Sequence, residues 1–103
     1  MPKLSRNPLK IEDINHFTTA LWSTLASLHK MPDIALLLEN FFTHTEVKMF
    51  AKRLQIAKML LDGNPYAVIR RRLHVTDAPI ARISNLLNGS AQFKDLVRRL
   101  IAH

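Results

Sequence analysis

Apolar residues recur at three- and four-residue spacing along almost the whole chain, and this period most constrains the fold. Such spacing gathers apolar side chains on one face of an α-helix, whereas a half-buried strand needs strict alternation. The chain has only two glycines and few alternating stretches, so it offers little for strands or hairpins. The sequence therefore predicts an all-α fold. With 103 residues and 48% apolar content, we expect one all-helical domain over residues 9–103, preceded by a disordered arm at residues 1–8.

Helix start and stop signals divide the chain into six predicted helices. The first runs from about 12 to 30, where Pro32 is expected to end it, and the second from about 33 to 42. Thr43 and Glu46 have the spacing of a capping box at the start of the third helix, which Gly63 ends. Asn64 is expected to cap a fourth helix over about 65–73. Thr76 and Ser90 are expected to cap the fifth, over about 77–87, and the sixth.

The second and third predicted helices carry apolar side chains around most of their circumference. A chain of this length buries only about 60–65% of its unfolded surface by itself. Two such helices need more cover than one copy supplies. We therefore expect an obligate homodimer in which the first three helices of each protomer pack against the partner. The alternative is a loosely covered monomeric bundle.

Positive charge is concentrated in the second half of the chain. Up to Val47, four basic residues meet five acidic ones, whereas from Lys48 onward eleven basic residues meet three acidic ones, a balance of +8. Basic residues clustered in this way are the electrostatic footprint of a nucleic-acid binder. A solvated basic surface is the alternative interpretation.

The sequence offers little for several other classes of protein. It contains no cysteine, so disulfides, thiolate metal sites and a cysteine nucleophile are excluded. Its five histidines show no metal-site spacing, and there is no glycine-rich phosphate loop or nucleophile elbow, so we expect no enzyme and no required cofactor. No apolar run approaches the roughly 20 residues of a membrane span, and no signal peptide is evident, so we expect a soluble cytoplasmic protein.

Two short predicted helices joined by about three residues, at about 65–87, have the dimensions of a helix-turn-helix. The interior of that motif requires apolar side chains at five places in a window starting at Tyr66. These places hold Ile69, Leu73, Val75, Ile80 and Ile83. Two other places depart from the usual preference: a small residue is replaced by Arg70, and the glycine of a left-handed turn by His74. Histidine tolerates positive φ better than most residues, so the motif is still predicted.

Inward packing of those five residues leaves the opposite face of the second motif helix free to contact a major groove. The expected base readers are Asp77, Ala78, Ala81, Arg82 and Asn85. Arginine binds guanine and asparagine binds adenine through paired hydrogen bonds, each worth about 1–3 kcal/mol of discrimination. Phosphate contacts are expected from Arg70, Arg71, Arg72 and Lys52.

The region from about Phe42 to Leu96 resembles the Trp repressor family, six-helix intertwined dimers that bind operator DNA through the fourth and fifth helices. The resemblance rests on four segments. They are Arg53-Leu54-Gln55-Ile56, Leu60-Leu61-Asp62-Gly63, Ile80-Ala81-Arg82-Ile83-Ser84-Asn85 and Asn88-Gly89-Ser90 with Phe93-Lys94. It implies a six-helix intertwined dimer that binds double-stranded DNA as a transcriptional regulator. Repression is the expected direction because the chain shows no spare segment for contacting polymerase.

The resemblance also implies roles for individual residues. The two arginines that sandwich the indole of L-tryptophan in that family fall on Arg53 and Arg82, and a threonine beside the ligand falls on Thr43. Stacking of guanidinium planes on an aromatic ring explains the preference for arginine. The family's phosphate-binding lysine falls on Arg70, and its phosphate-contacting pair falls on Ser84 and Asn85.

Several pocket positions differ from the family pattern. Ile83 replaces a glycine that leaves room for the indole, and Pro79 and Leu86 replace small hydroxyl residues. A branched side chain at position 83 would fill the ligand slot. We therefore expect DNA binding to be retained while control by tryptophan is weakened, lost or changed to another effector. Arg53 has a structural alternative, an ion pair with Glu46 or Asp62.

Two further functions compete with this interpretation. One is a nonspecific nucleic-acid binder of the nucleoid type, or an RNA binder, that uses the same basic half without an effector. The chain has one tryptophan and one tyrosine, which is poor material for a base-stacking surface. The other is a protein-interaction module in which the fit to the motif is accidental.

Overall fold

A computed structural model describes residues 10–101, and these residues form six α-helices and no β-strand. The helices are α1 (Ile11–Ala26), α2 (Met31–Phe41), α3 (His44–Leu61), α4 (Tyr66–Leu73), α5 (Asp77–Gly89) and α6 (Ala91–Ile101). The predicted all-α class and the number of helices are confirmed. The expected disordered arm at residues 1–8 lies outside the described residues. The chain divides after Phe41 into two units, and the single domain over 9–103 stays a prediction.

The first unit contains α1 and α2, and neither helix has a buried residue. The predicted end of α1 near residue 30 is wrong, because the helix ends at Ala26. There the Ser27 hydroxyl donates to the carbonyl of Thr24 at 2.7 Å and closes the last turn locally. Pro32 lies in the first turn of α2, where its missing N–H has no intrahelical partner to lose.

The second unit packs α3 against α4, α5 and α6, and α5 also packs against α4 and α6. Its core consists of buried apolar side chains from all four helices. They are Ile56, Ala57, Met59, Ile69, Ile80, Ile83, Leu87 and Val97. The other three helices of this unit all pack against α3, which makes α3 the support on which α4 and α5 are held.

The start of α3 confirms the predicted capping box. The Thr43 hydroxyl accepts from the backbone N–H of Glu46 at 3.1 Å, and the Glu46 carboxylate accepts from the Thr43 N–H at 2.8 Å. Two of the N–H groups that a helix start leaves unpaired are thereby satisfied. The start of α6 is also capped as predicted, since the Ser90 hydroxyl accepts from the Phe93 N–H at 3.1 Å.

The connection from α3 to α4 differs in one respect from the prediction. Gly63 ends α3 as expected, with φ of 85°, and its N–H donates to the carbonyl of Leu60. Asn64, however, does not cap α4. Both its backbone N–H and its side-chain amide donate to the carbonyl of Met59 at 3.0 Å, so Asn64 completes the end of α3 instead. Pro65 takes the N-cap position of α4 without a side-chain hydrogen bond.

Candidate DNA-binding surface

Helices α4 and α5, joined by residues 74–76, form the predicted helix-turn-helix. Ile69 and Ile80 are fully buried, and Ile83 is 9% exposed. Leu73 and Val75 are half-buried and pack against the same core. All five predicted packing positions therefore face inward. Residues 74–76 interrupt the helical backbone between α4 and α5. The second helix of the motif extends to Gly89, two residues beyond its predicted end.

The turn of the motif rests on His74. This residue has φ of 55° and ψ of 51°, the left-handed conformation that the missing glycine would normally supply. The backbone N–H groups of His74 and Val75 both donate to the carbonyl of Arg70, that of Val75 at 3.3 Å. The predicted left-handed turn at His74 is confirmed, and it redirects the backbone from α4 into α5.

The outer face of α5 is where the expected base readers lie. Ala78, Arg82 and Asn85 are four and three residues apart, so they share one face of the helix, and all three are exposed. Asp77 is exposed at the first turn, and Ala81 is half-buried beside this face. Because Ile80, Ile83 and Leu87 occupy the buried side of the same helix, rotation of α5 is fixed by packing. Whether these residues contact bases stays a prediction.

The expected phosphate-contacting residues lie on α3, α4 and α5. Arg70, Arg71 and Arg72 form the exposed last turn of α4, and Lys52 is exposed on α3. Ser84 is half-buried, and its hydroxyl accepts from the Asn88 amide at 3.4 Å. Positive charge at the carboxyl end of a helix is favoured by the helix dipole. The end of α4 thus presents three exposed guanidinium groups.

One feature of this surface is not evident from motif spacing. The Arg70 guanidinium donates from Nη1 to Oδ1 of Asp77 at 2.6 Å, across the turn of the motif. The sequence signal that would have found it is opposite charge on the two sides of a three-residue turn. Within residues 10–101 the other ion pair joins Arg98 to Asp95 inside α6, at 3.4 Å.

Residues 17–101 match the family model described as "Trp repressor protein". The chain belongs to the Trp repressor family. The match begins well before Phe42, where the motifs that carry the resemblance in the sequence begin. The Trp repressor family is a family of DNA-binding regulators, which agrees with the helix-turn-helix at α4 and α5.

A curated relative is the uncharacterized protein YerC of Bacillus subtilis strain 168, which is 29% identical over 68 residues. The aligned region covers 66% of this chain and 65% of YerC, so the chain spans just under two thirds of that protein. No solved structure matches this chain.

The residues that the resemblance assigns to ligand binding lie on α3 and α5 and at the start of α3. Ile83, which the resemblance places at a glycine position of the family, is buried in the core of the second unit. Arg53 and Arg82 are exposed, and the Thr43 hydroxyl is already an acceptor in the capping box. The alternative pairing of Arg53 is not supported, since no ion pair within residues 10–101 joins it to Glu46 or Asp62.

Across residues 10–101, no group of three or more histidine, aspartate or glutamate side chains is placed to hold a metal ion. None of the six helices has the length and apolar character needed to cross a bilayer.

Proposed function

We propose that this protein is a sequence-specific DNA-binding transcriptional regulator that inserts α5 into the major groove of duplex DNA. The observation that carries this proposal is the closed interior of the helix-turn-helix. Five apolar side chains hold α4 and α5 in a fixed relation, so the opposite face of α5 is presented as a rigid unit. We take repression as the direction of control because the matching family is described as a repressor.

Sequence-specific binding needs attraction to the phosphates and contacts to the base edges, and exposed side chains of α4 and α5 have the chemistry for both. Arg71 and Arg72 lie at the end of α4 and supply sequence-independent attraction to phosphates. Arg82 and Asn85 lie on the exposed face of α5, and side chains of these two types can form paired hydrogen bonds to guanine and adenine respectively. Ala78 adds a small apolar surface suited to a thymine methyl group.

Selection of bound sites from random duplexes tests this function. We expect the protein to prefer its selected duplex over a scrambled one by about 10³-fold or more. Arg82→Ala and Asn85→Ala should each relax the preference at particular bases. Arg99→Ala removes an equal charge from the exposed surface of α6, away from the motif, and should leave the base preference unchanged.

Two results would contradict the proposal. Equal affinity for all duplexes would favour the nonspecific, nucleoid-type alternative, which the concentration of basic residues in the second half of the chain supports. Loss of base preference in the Arg99→Ala protein as large as in the Arg82→Ala protein would mean that charge alone governs binding.

We further propose that DNA binding does not require L-tryptophan. Ile83 is buried in the core of the second unit, and the resemblance places it where the Trp repressor family leaves room for the indole. An indole ring would need the volume that the Ile83 side chain already occupies, because protein interiors are close-packed. Arg53 and Arg82, the family's indole-stacking positions, are then free for other contacts.

Calorimetry and DNA titration test this independence. The wild type should give no heat with L-tryptophan, and its affinity for the selected duplex should be the same with and without the amino acid. Ile83→Gly should open the slot and give measurable binding. Ile83→Ala keeps a better helix former and serves where the glycine variant is unfolded. Tight tryptophan binding by the wild type, or a tryptophan-dependent affinity for DNA, would refute the proposal.

We also propose that the active form is a homodimer. The stripe along α1, formed by Ile14, Phe17, Leu21 and Leu25, is between 38% and 56% exposed, and Met31 and Phe41 of α2 are 81% and 80% exposed. Exposed apolar side chains in such number mark a surface that a partner covers. A dimer would also place two motifs on successive half-sites of one face of the duplex.

Sedimentation equilibrium tests the dimer directly. The expected mass is twice the 11.8 kDa of one chain. Phe17→Glu places a charge in the α1 stripe and should shift the population toward monomer, whereas Thr19→Glu, on the opposite side of α1, should not. A wild type that sediments as a monomer at micromolar concentration would refute the proposal and favour the loosely covered bundle.

A further inference from the structure

The ion pair between Arg70 and Asp77 lies where the motif usually has a small residue. Arg70 is in the last turn of α4, and Asp77 is the first residue of α5. The pair spans residues 74–76 at 2.6 Å and is the one ion pair within residues 10–101 that links two helices. A long side chain is accommodated at this place because its guanidinium leaves the helix interface and reaches the start of α5.

Stability alone is a poor explanation for this pair. The side chains of Arg70 and Asp77 are 43% and 62% exposed, and water screens an ion pair of this kind strongly. Each of the two charges is also stabilised by a helix dipole when the other charge is absent. Arg70 lies at the negative end of the α4 dipole, and Asp77 lies at the positive end of the α5 dipole.

The position of the pair relative to DNA gives a better explanation. Asp77 lies at the amino end of the helix that is proposed to enter the groove, where an unpaired carboxylate would repel phosphates. Its oxygen is instead held against Arg70. A guanidinium has five N–H donors in a fixed plane, and the bond to Asp77 uses one Nη1 donor, so others remain for a phosphate.

We propose that Arg70 and Asp77 act as one positioning unit for DNA, in which Asp77 orients the Arg70 guanidinium toward a backbone phosphate while Arg70 cancels the charge of Asp77. The inference rests on the proposed function and adds a role to two of its residues. Asp77 is then a positioning residue that sets how the amino end of α5 approaches the duplex, and it need not contact a base.

A double-mutant cycle tests the coupling between the two residues. Affinities for the selected duplex and for a scrambled duplex are measured for the wild type, Arg70→Gln, Asp77→Asn and the double variant. All are measured at one salt concentration, because phosphate-dominated binding falls steeply with salt. The control cycle replaces Arg70→Gln by Arg71→Gln, since Arg71 is the exposed neighbour on α4 and takes part in no ion pair within residues 10–101.

The expected result is coupling in binding that the control lacks. Arg70→Gln should weaken binding more in the protein that keeps Asp77 than in the Asp77→Asn protein, by about three- to tenfold. Asp77→Asn alone should raise affinity for the scrambled duplex, because a negative charge near phosphates is lost. Arg71→Gln should cost the same in both backgrounds.

Three other outcomes would overturn the inference. Equal losses from Arg70→Gln in both backgrounds would overturn the positioning unit and leave the proposed function standing. Coupling in thermal unfolding without coupling in DNA binding would make the pair a structural one and would also overturn the inference. A wild type that binds no duplex would overturn the proposed function together with this inference.

Discussion

The left-handed residue in the turn of the helix-turn-helix offers a direct test of the backbone argument. His74 has φ of 55° and ψ of 51°, and this conformation costs an L-residue about 1–2 kcal/mol. Glycine adopts it freely but gains about 0.4–1 kcal/mol of conformational freedom in the unfolded chain. The difference predicts that His74→Gly raises the free energy of unfolding by about 0.5–1 kcal/mol. The imidazole contributes little against this, since His74 is exposed.

Gly63 provides the matched variant of opposite sign. Its φ is 85°, and a Cβ added there would meet no atom within 4 Å. Gly63→Ala therefore introduces backbone strain without a steric clash and should lower the free energy of unfolding by about 1 kcal/mol. His74→Ala serves as the control, because it removes the imidazole and keeps a side chain that disfavours positive φ. It should be slightly less stable than the wild type, because histidine tolerates positive φ better than most residues.

Urea denaturation followed by circular dichroism measures these differences. All variants should be compared at one protomer concentration, because the proposed dimerisation would contribute to apparent stability by mass action. A change of 1 kcal/mol corresponds to about 4–8 °C in melting temperature for a domain of this size. A His74→Gly protein that is less stable than the wild type, or a Gly63→Ala protein that is more stable, would contradict the assigned cost of positive φ at these two positions.

Three further predictions concern the core and the start of α3. Ile80→Ala should lower the free energy of unfolding by about 2–5 kcal/mol in urea denaturation, because Ile80 is fully buried; a loss near zero would mean that the motif interior is not packed. Thr43→Ala should lower the melting temperature through the loss of about 1 kcal/mol of capping, and Thr43→Ser should restore it. The backbone N–H and then the hydroxyl of Thr43 hold the pKa of Glu46 below its ordinary value of 4.5. The stabilisation is thus complete above that value and is lost as pH falls through the lowered pKa. Between about pH 6 and pH 3, the melting temperature of Glu46→Gln should therefore fall less steeply with pH than that of the wild type. Equal slopes for the two proteins would contradict this.

Local signals in the sequence predicted the parts of the fold that neighbouring residues determine. The capping box at Thr43 and Glu46 needs only four consecutive residues, and the packing of Ile69, Ile80 and Ile83 follows from helical period and motif spacing. These features were predictable because their geometry is fixed within one or two helix turns.

Features that depend on competition between neighbouring groups were predicted wrongly or missed. Pro32 suits both the end of one helix and the first turn of the next, and a hydrogen bond at Ser27 decided that α1 ends earlier. Asn64 has the chemistry of an N-cap, yet its amide donates to the carbonyl of Met59. In both cases more than one partner was within reach, and sequence spacing does not rank them.

By itself, the sequence determined the all-α class, the helix-turn-helix and the chemistry of its exposed face. The reason is that the period of the apolar residues and the type of each side chain decide which residues are buried and which stay exposed. Only the tertiary structure decided that Arg70 reaches Asp77 across the turn. That contact depends on the angle between α4 and α5 and on how both helices pack against α3. That angle arises from side chains that are distant in the sequence and meet only in the folded chain.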